Sequence, residues 1–246
     1  MAGKLTVVGF GPGSKGDMTL RAVEAIENAD VVTGYTTYVN LMKEYFPDKK
    51  YKATGMMKEI ERCRMAIEDA STGLSVAMIS SGDSGIYGMA GIIYQLVDEM
   101  NADIELDVIP GVTAASAAAS ILGAPLMHDL AIISLSDLLT PYDLIMKRID
   151  SAGAGDLIVC LYNPRSKTRR EHLPEAVETL LKHRSPETPV GIVKNAGREG
   201  EVAIISTLGN MPYDEVDMFS IVIVGNSQTY VSDGKMITPR GYEVKK

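Results

Sequence analysis

Five short polar stretches in this chain begin where an apolar, strand-like run ends. They are Gly9-Phe10-Gly11-Pro12-Gly13 after residues 4–8, Ser80-Ser81-Gly82-Asp83 after 74–79, and Pro110-Gly111-Val112-Thr113 after 104–109. Tyr162-Asn163-Pro164 follows residues 157–161, and Lys194-Asn195-Ala196-Gly197 follows 190–193. In open α/β sheets the carboxyl ends of strands are where ligands bind, because loops and helix N-termini bring unpaired backbone groups together there. Glycine alone accounts for any one such turn. The recurrence of glycine with polar side chains at all five favours a site. Main-chain carbonyls and a side-chain acceptor such as Asp83 suit a cationic small molecule, whereas a phosphate would call for donors. The competing role for Asp83 is a cap on a helix opening at Gly85.

The first loop approaches a dinucleotide fingerprint and departs from it. Ser14 stands where the third glycine belongs, and Pro12 removes a donor. The run Val31-Val32-Thr33-Gly34 meets Tyr35 rather than the acid that would hold a ribose. Ser14-Lys15-Gly16-Asp17 does not supply a Walker A ending. A nucleotide-dependent oxidoreductase is therefore the disfavoured alternative from another functional class. Cys63 lies in a helical pattern and Cys160 in a strand pattern, and with three histidines the chain offers no zinc spacing. Neither a structural disulfide nor a resident metal is expected.

The elements that must position these loops follow from periodicity. After the first strand, helix is expected over residues 17–28, strand over 29–33, helix over 56–70, strand over 74–79, helix over 85–100, strand over 104–109 and a small-residue helix over 112–122. A second block starts near Gly123-Ala124-Pro125, with strands at 131–134, 157–161, 190–193, 202–205 and 220–224 and helices at 141–149 and 170–183. Strands alternating with helices imply two α/β domains with mainly parallel sheets, residues 1–122 and 123–246. The 246 residues are 46% hydrophobic and 23% charged, enough for a large core. A net charge of −8 disfavours a nucleic-acid coat. The longest apolar runs, 117–122 and 221–224, are too short to span a membrane, and no apolar signal segment follows Met1, so a cytoplasmic location is expected.

Gly9-Phe10-Gly11-Pro12-Gly13, Gly82-Asp83-Ser84-Gly85-Ile86-Tyr87-Gly88 and Pro110-Gly111-Val112-Thr113-Ala114-Ala115-Ser116 resemble, in order and spacing, the three signatures of the tetrapyrrole methylase family. Gly34-Tyr35-Thr36-Thr37-Tyr38, residues 134–141 and Lys194-Asn195-Ala196-Gly197-Arg198 resemble the branch that methylates C17 and contracts the macrocycle. The resemblance implies a class III methyltransferase fold with S-adenosylmethionine in the cleft between the domains. By motif position it implies that Pro12, Gly82, Asp83, Ile86, Thr113, Ala114, Tyr162 and Ala196 contact the cofactor. It further implies a tetrapyrrole substrate, with or without cobalt, and a homodimer. One departure is Ser84, where the family commonly has proline. Another is Tyr35, where the family's uroporphyrinogen III methylase has an aspartate.

Methyl transfer from a sulfonium demands chiefly that the nucleophile be held about 3–3.5 Å from the methyl, so no nucleophilic side chain is required. Ring contraction also moves protons and calls for a general acid or base. Tyr35, Tyr38, Ser136, Asp137 and Thr140 are candidates for that role, with Tyr35 and Asp137 chosen, against a packed strand-end tyrosine and a helix cap before Pro141. Gly11, Tyr38, Ser136, Arg165 and Arg198 are expected to contact substrate, with Thr140 as a further polar candidate. Arg165, Lys167, Arg169 and Arg170, beside Lys194 and Arg198, could bind macrocycle carboxylates, against a solvated helix start. His128 could ligate substrate cobalt, though an ordinary interfacial histidine is the better reading. Met56, Met57 and Met89 read as core filling. Another methylase of the family, acting at a different carbon or on diphthamide, and a non-catalytic tetrapyrrole carrier are the remaining alternatives.

Overall fold

The computed structural model describes residues 3–242 and divides into two compact units, Met1–Ala114 and Ala115–Lys246. The first contains β1 (Lys4–Gly9), α1 (Leu20–Asn28), β2 (Val31–Tyr35), α2 (Thr36–Tyr45), β3 (Lys50–Thr54), α3 (Glu59–Ser71), β4 (Ser75–Ser80), α4 (Ala90–Glu99) and β5 (Glu105–Ile109). Its five strands form one wholly parallel sheet in the order β3-β2-β4-β1-β5. Both faces are covered, which is why β1 is apolar almost throughout rather than alternating. Val8 and Phe10 pack with α1 and α2 on one side. Leu5 and Val7 pack with α3 and α4 on the other. The chain leaves β1 toward β2, past β4, and leaves β4 toward β5, past β1. The loops after these neighbouring strands thus depart to opposite faces, a topological switch point.

The helix α5 (Ala114–Leu122), read from the sequence as the end of the first domain, groups by its packing with the second unit. There follow β6 (Gly123–Ala124), β7 (Leu130–Ser134), α6 (Tyr142–Ala154), β8 (Ile158–Tyr162), α7 (His172–Leu181), β9 (Pro189–Lys194), β10 (Val202–Thr207), β11 (Ser220–Val224), β12 (Tyr230–Ser232) and β13 (Lys235–Ile237). The larger sheet has the order β10-β9-β11-β8-β7. Here the expected parallel character holds only for β7 with β8; β8 with β11, β11 with β9, and β9 with β10 are antiparallel. The physical reason is that the β8–α7–β9 crossover leaves a gap one strand wide, which β11 fills from the opposite direction, while β10 simply folds back on β9. One face packs against α6 and α7 through Ile145, Ile149, Leu173 and Leu180. On the other, Leu122 of α5 sits over Gly191, where a β-carbon would come within 2.3 Å of its Cδ1.

Several expected boundaries move. The first helix begins at Leu20, where Thr19 Oγ1 accepts from the Ala22 amide at 3.1 Å; residues 15–17 form a separate 3-10 turn. The helix expected from residue 85 begins at Ala90. The α2–β3 pair was not read from the sequence, since β3, Lys-Tyr-Lys-Ala-Thr, is an exposed edge strand whose lysines discourage further pairing. The small sheet β12-β13-β6 also escaped it, because strands this short carry no period.

Arg184, 8% exposed, joins three segments of the second unit by donating to the carbonyls of Gly225, Leu157 and Ala152. Arg184→Leu is expected to lower the stability of the chain by about 2–4 kcal/mol in urea unfolding, because buried carbonyls lose a charged donor.

Candidate functional site

Since β1, β4 and β5 run parallel, the loops after them leave one sheet edge, and there they cross backbone on backbone. The Gly11 amide donates to Gly82 O at 2.9 Å, the Val112 amide to Gly11 O at 3.3 Å, and the Phe10 amide to Ser80 O at 3.0 Å. A β-carbon on Gly11 would lie 2.2 Å from Gly82 Cα, one on Gly111 2.2 Å from Gly82 O, and one on Gly9 2.6 Å from the Gly111 nitrogen. Contacts this short to main-chain atoms admit no side chain. Gly82 itself has φ +66°, a left-handed backbone that glycine adopts at no cost.

Asp83 locks this crossing. Its Oδ1 accepts from the amides of Gly85 (2.8 Å) and Ile86 (3.0 Å), and its Oδ2 from the amide of Gly111 in the third loop (3.0 Å). It is therefore not the cap of α4, which starts at Ala90. Ser84 is fully buried and donates to Ile109 O at 3.1 Å, a tie from the second loop to the end of β5 that proline could not make. Pro12, Thr113 and Ala114 lie on the same three loops, and Ile86 is 36% exposed at their surface.

Tyr35 closes β2 and Tyr38 lies in the first turn of α2. Their rings meet edge to face at 5.2 Å, and Tyr38 meets Phe10 of the first loop at 5.5 Å. The structure thus brings together Gly11, Pro12, Gly82, Asp83, Tyr35 and Tyr38 at one end of the first sheet.

In the second unit β7, β8 and β9 point the same way, since β8 and β9 are each antiparallel to β11. Ser134, Tyr162 and Lys194 consequently end at one edge. The Tyr162 hydroxyl accepts from the Ala115 amide at 2.8 Å. Ser134 Oγ accepts from the Ser136 amide (3.2 Å) and from Asn163 Nδ2 (3.0 Å). Asp137 does not cap α6, which follows Pro141 without a side-chain cap. Its carboxylate instead lies 3.8 Å from Arg169 Nε and 3.8 Å from His172 Nε2. Ala196 sits in the turn after β9 between Asn195 (φ 51°) and Gly197 (φ 68°), and the Arg198 amide closes that turn on Asn195 O at 2.9 Å.

The expected cation patch is largely consumed within the fold. Arg165 donates to Tyr213 O and lies 3.5 Å from Asp214. Arg169 donates to Leu135 O and Asn163 O, and Lys194 pairs with Asp217 at 2.5 Å. Lys167 and Arg170 are exposed and have no ion pair among the described residues. His128 is half-buried in the loop before β7. His172, which the sequence reading passed over, is the histidine at a strand-end site. Burial pushes the Cys63 thiol up to about 11 and that of Cys160 to about 12, so neither is an activated nucleophile. Among the described residues no group of three His, Cys, Asp or Glu side chains is placed to hold a metal, and no helix is long and apolar enough to cross a membrane.

A family model described as Tetrapyrrole (Corrin/Porphyrin) Methylases matches residues 4–212. The chain belongs to this family. It is 56% identical to a protein of Salmonella typhimurium named probable cobalt-factor III C(17)-methyltransferase, over 97% of this chain and 99% of that one. It is 48% identical to the cobalt-factor III methyltransferase of Priestia megaterium, over 100% of this chain but only 46% of that longer protein. Among solved structures it resembles the crystal structure of the methyltransferase CobJ, with a TM-score of 0.90 and 32% identity over 96% of this chain and 100% of that one. In this methylase the fold class and the enzyme class follow the expectation drawn from the sequence.

The glycine crossing and the Lys194–Asp217 pair make separate predictions. Gly111→Ala should cost the methylase about 3 kcal/mol or more in urea unfolding. Gly91→Ala in α4, where nothing lies within 4 Å of the new carbon, should stabilise it by about 0.5 kcal/mol. Burial acts to raise the Asp217 pKa, but Lys194, the Phe219 amide and the Ser220 hydroxyl outweigh it and hold the carboxyl below its ordinary value. A depressed folded-state value means that this contribution is present above the ordinary carboxylate pKa and is lost as pH falls through the folded one. Asp217→Asn should therefore show a shallower loss of unfolding midpoint than the parent below about pH 4.

Proposed function

We propose that this chain is an S-adenosylmethionine-dependent C-methyltransferase that methylates C17 of cobalt-factor III, or of its cobalt-free counterpart precorrin-3B, with ring contraction, in cobalamin biosynthesis. The observation that carries this reading is end-to-end likeness to a relative bearing that name at 56% identity. The names of both relatives described above favour the cobalt-bearing macrocycle as substrate. A cytoplasmic location and a homodimer belong to the same reading, carried over from the family.

The residues at the first sheet's edge fit the cofactor. A crossing of three loops in which Gly9, Gly11 and Gly111 admit no β-carbon presents main chain to whatever binds it, and main-chain carbonyls suit a sulfonium. When bound, S-adenosylmethionine supplies an electrophilic methyl group. Pro12, Gly82, Asp83, Ile86, Thr113 and Ala114 are assigned to hold it, and Tyr162 and Ala196 keep the same assignment. Asp83 does so indirectly: with three amides on its oxygens it fixes the second loop against the third, and rigid placement of the reactants is what this displacement requires. Gly11, Tyr38, Ser136, Arg165 and Arg198 are assigned to the macrocycle. Because Arg165 is already turned to Tyr213 O and Asp214, the exposed Lys167 and Arg170 join it as partners for the substrate's carboxylates. Tyr35 and Asp137 are the assigned proton handlers.

Calorimetric titration with S-adenosylhomocysteine, and separately with NAD, tests the cofactor assignment. Near-stoichiometric binding of the former is expected, weakened tenfold or more in Asp83→Ala, followed by transfer of isotope-labelled methyl to cobalt-factor III. Binding of NAD in its place would return the chain to the oxidoreductase alternative. Tight binding of the macrocycle without turnover would make it a carrier.

A further inference from the structure

We propose that Asp137 and His172 form a proton-relay pair, in which Asp137 meets the macrocycle and His172 receives, through Asp137, the proton that ring contraction displaces. This inference rests on the functional reading above and adds to it a positioning residue, His172, that the sequence motifs did not mark.

His172 opens α7, and its Nδ1 lies 2.9 Å from Leu135 O. A carbonyl only accepts, so Nδ1 carries hydrogen and Nε2 is the nitrogen that gains or loses a proton. Nε2 faces Asp137, 3.8 Å from Oδ2. The other carboxylate oxygen lies 3.8 Å from Arg169 Nε, and Arg169 is anchored to Leu135 O at 3.0 Å and Asn163 O at 3.2 Å. Leu135 O thus fixes both the imidazole and the guanidinium. Burial is graded across the three: the Arg169 and His172 side chains are each 16% exposed and Asp137 is 38% exposed. Asp137 is the member a ligand reaches first, and the other two stand behind it.

The remaining groups near His172 do not compete for its proton. The Tyr142 ring of α6 lies 4.7 Å from the imidazole, and its hydroxyl donates to Glu175 of α7. Burial first, then Glu175, raises the Tyr142 pKa, so the phenol keeps its proton throughout the range in which an imidazole titrates. Glu175 is engaged by that phenol. In the step itself the Asp137 carboxylate takes a proton from the macrocycle, and the bonding pair stays on the atom that loses it. Asp137 then closes from 3.8 Å to hydrogen-bond distance of Nε2 and passes it the proton, returning to carboxylate as the imidazole becomes imidazolium. One proton moves, nothing is oxidised or reduced, and the reverse path delivers the proton to product or water.

The test compares the full-length parent with His172→Gln and Asp137→Asn. Methyl transfer and the absorbance change of ring contraction are followed across pH, and S-adenosylhomocysteine affinity reports that each variant is folded. The expected result for His172→Gln is a loss of about 100-fold in kcat with KM within threefold, and disappearance of the acid limb of the kcat profile. Asp137→Asn, a change at an accessible side chain, should lose activity to a similar degree. His172→Gln turning over within threefold of the parent with its acid limb intact would overturn the relay alone. Asp137→Asn turning over within threefold of the parent would overturn it equally. A parent that binds S-adenosylhomocysteine but converts neither macrocycle would instead remove the functional reading, and the relay with it.

Discussion

The interaction on which the first unit depends is the passage of three loop backbones across one another without side chains between them. Gly11 against Gly82, and Gly111 against both Gly82 and Gly9, bring main-chain atoms within distances that a single added carbon would violate. Such an approach exposes carbonyls and amides that would otherwise be screened by their own side chains, and it leaves them unable to move independently. Asp83 makes the arrangement rigid, since its two oxygens fasten amides of the second loop and of the third. A parallel sheet is what makes this arrangement available: β1, β4 and β5 are adjacent and in register, from Gly9 beside Ser80 to Val8 beside Ile109, so their loops begin level with one another.

The second unit solves a different problem with a different sheet. Three strands share a direction: β7 pairs directly with β8, while β8 and β9 are separated by β11 running the other way. The consequence is that one edge collects the carboxyl ends of three strands together with the beginning of β11, and charged side chains from both can pair there, as Lys194 does with Asp217. The same edge gathers Asn163, Arg169 and His172 around the loop of residues 134–137 through Ser134 Oγ and Leu135 O. Where the first unit offers main chain, the second offers titratable side chains.

Much of this was legible in the sequence, and the failures have physical causes. Apolar runs located β1 and β4 and their loops, because strands buried on both faces read as continuous hydrophobic segments. The edge strand β3 did not stand out, since its pattern of two lysines and a tyrosine is that of a solvated segment. Mixed pairing in the second sheet was invisible, because periodicity reports which residues are buried and says nothing of strand direction. At the site, Asp83 was found, but as an acceptor for a ligand or a helix cap. Of its three amide partners, Gly111 lies 28 residues away, beyond the reach of any local pattern. Arg165, Arg169 and Lys194 were read as a free cation cluster, yet each turns inward to a carbonyl or carboxylate supplied by distant segments. His172 was missed because nothing in its own helix marks it; Leu135 and Asp137, which give it meaning, are brought by the fold.

In the proposed function, a chain of net charge −8 has to serve a substrate that carries many carboxylates. Cations spent on internal carbonyls gain fixed positions and lose the freedom to clamp an anion, so affinity cannot come from a general positive patch. On that reading it comes from a few exposed groups, such as Lys167 and Arg170, set among side chains that are already ordered. Arg169 shows what the internal engagement provides instead. Held by two carbonyls and facing Asp137, it keeps a carboxylate in place at the edge of the sheet, where an acid alone would repel an anionic ligand. A carboxylate that must accept a proton beside other carboxylates needs a neighbouring positive charge to stay in position and a neighbouring base to be cleared, and Arg169 and His172 stand on its two sides.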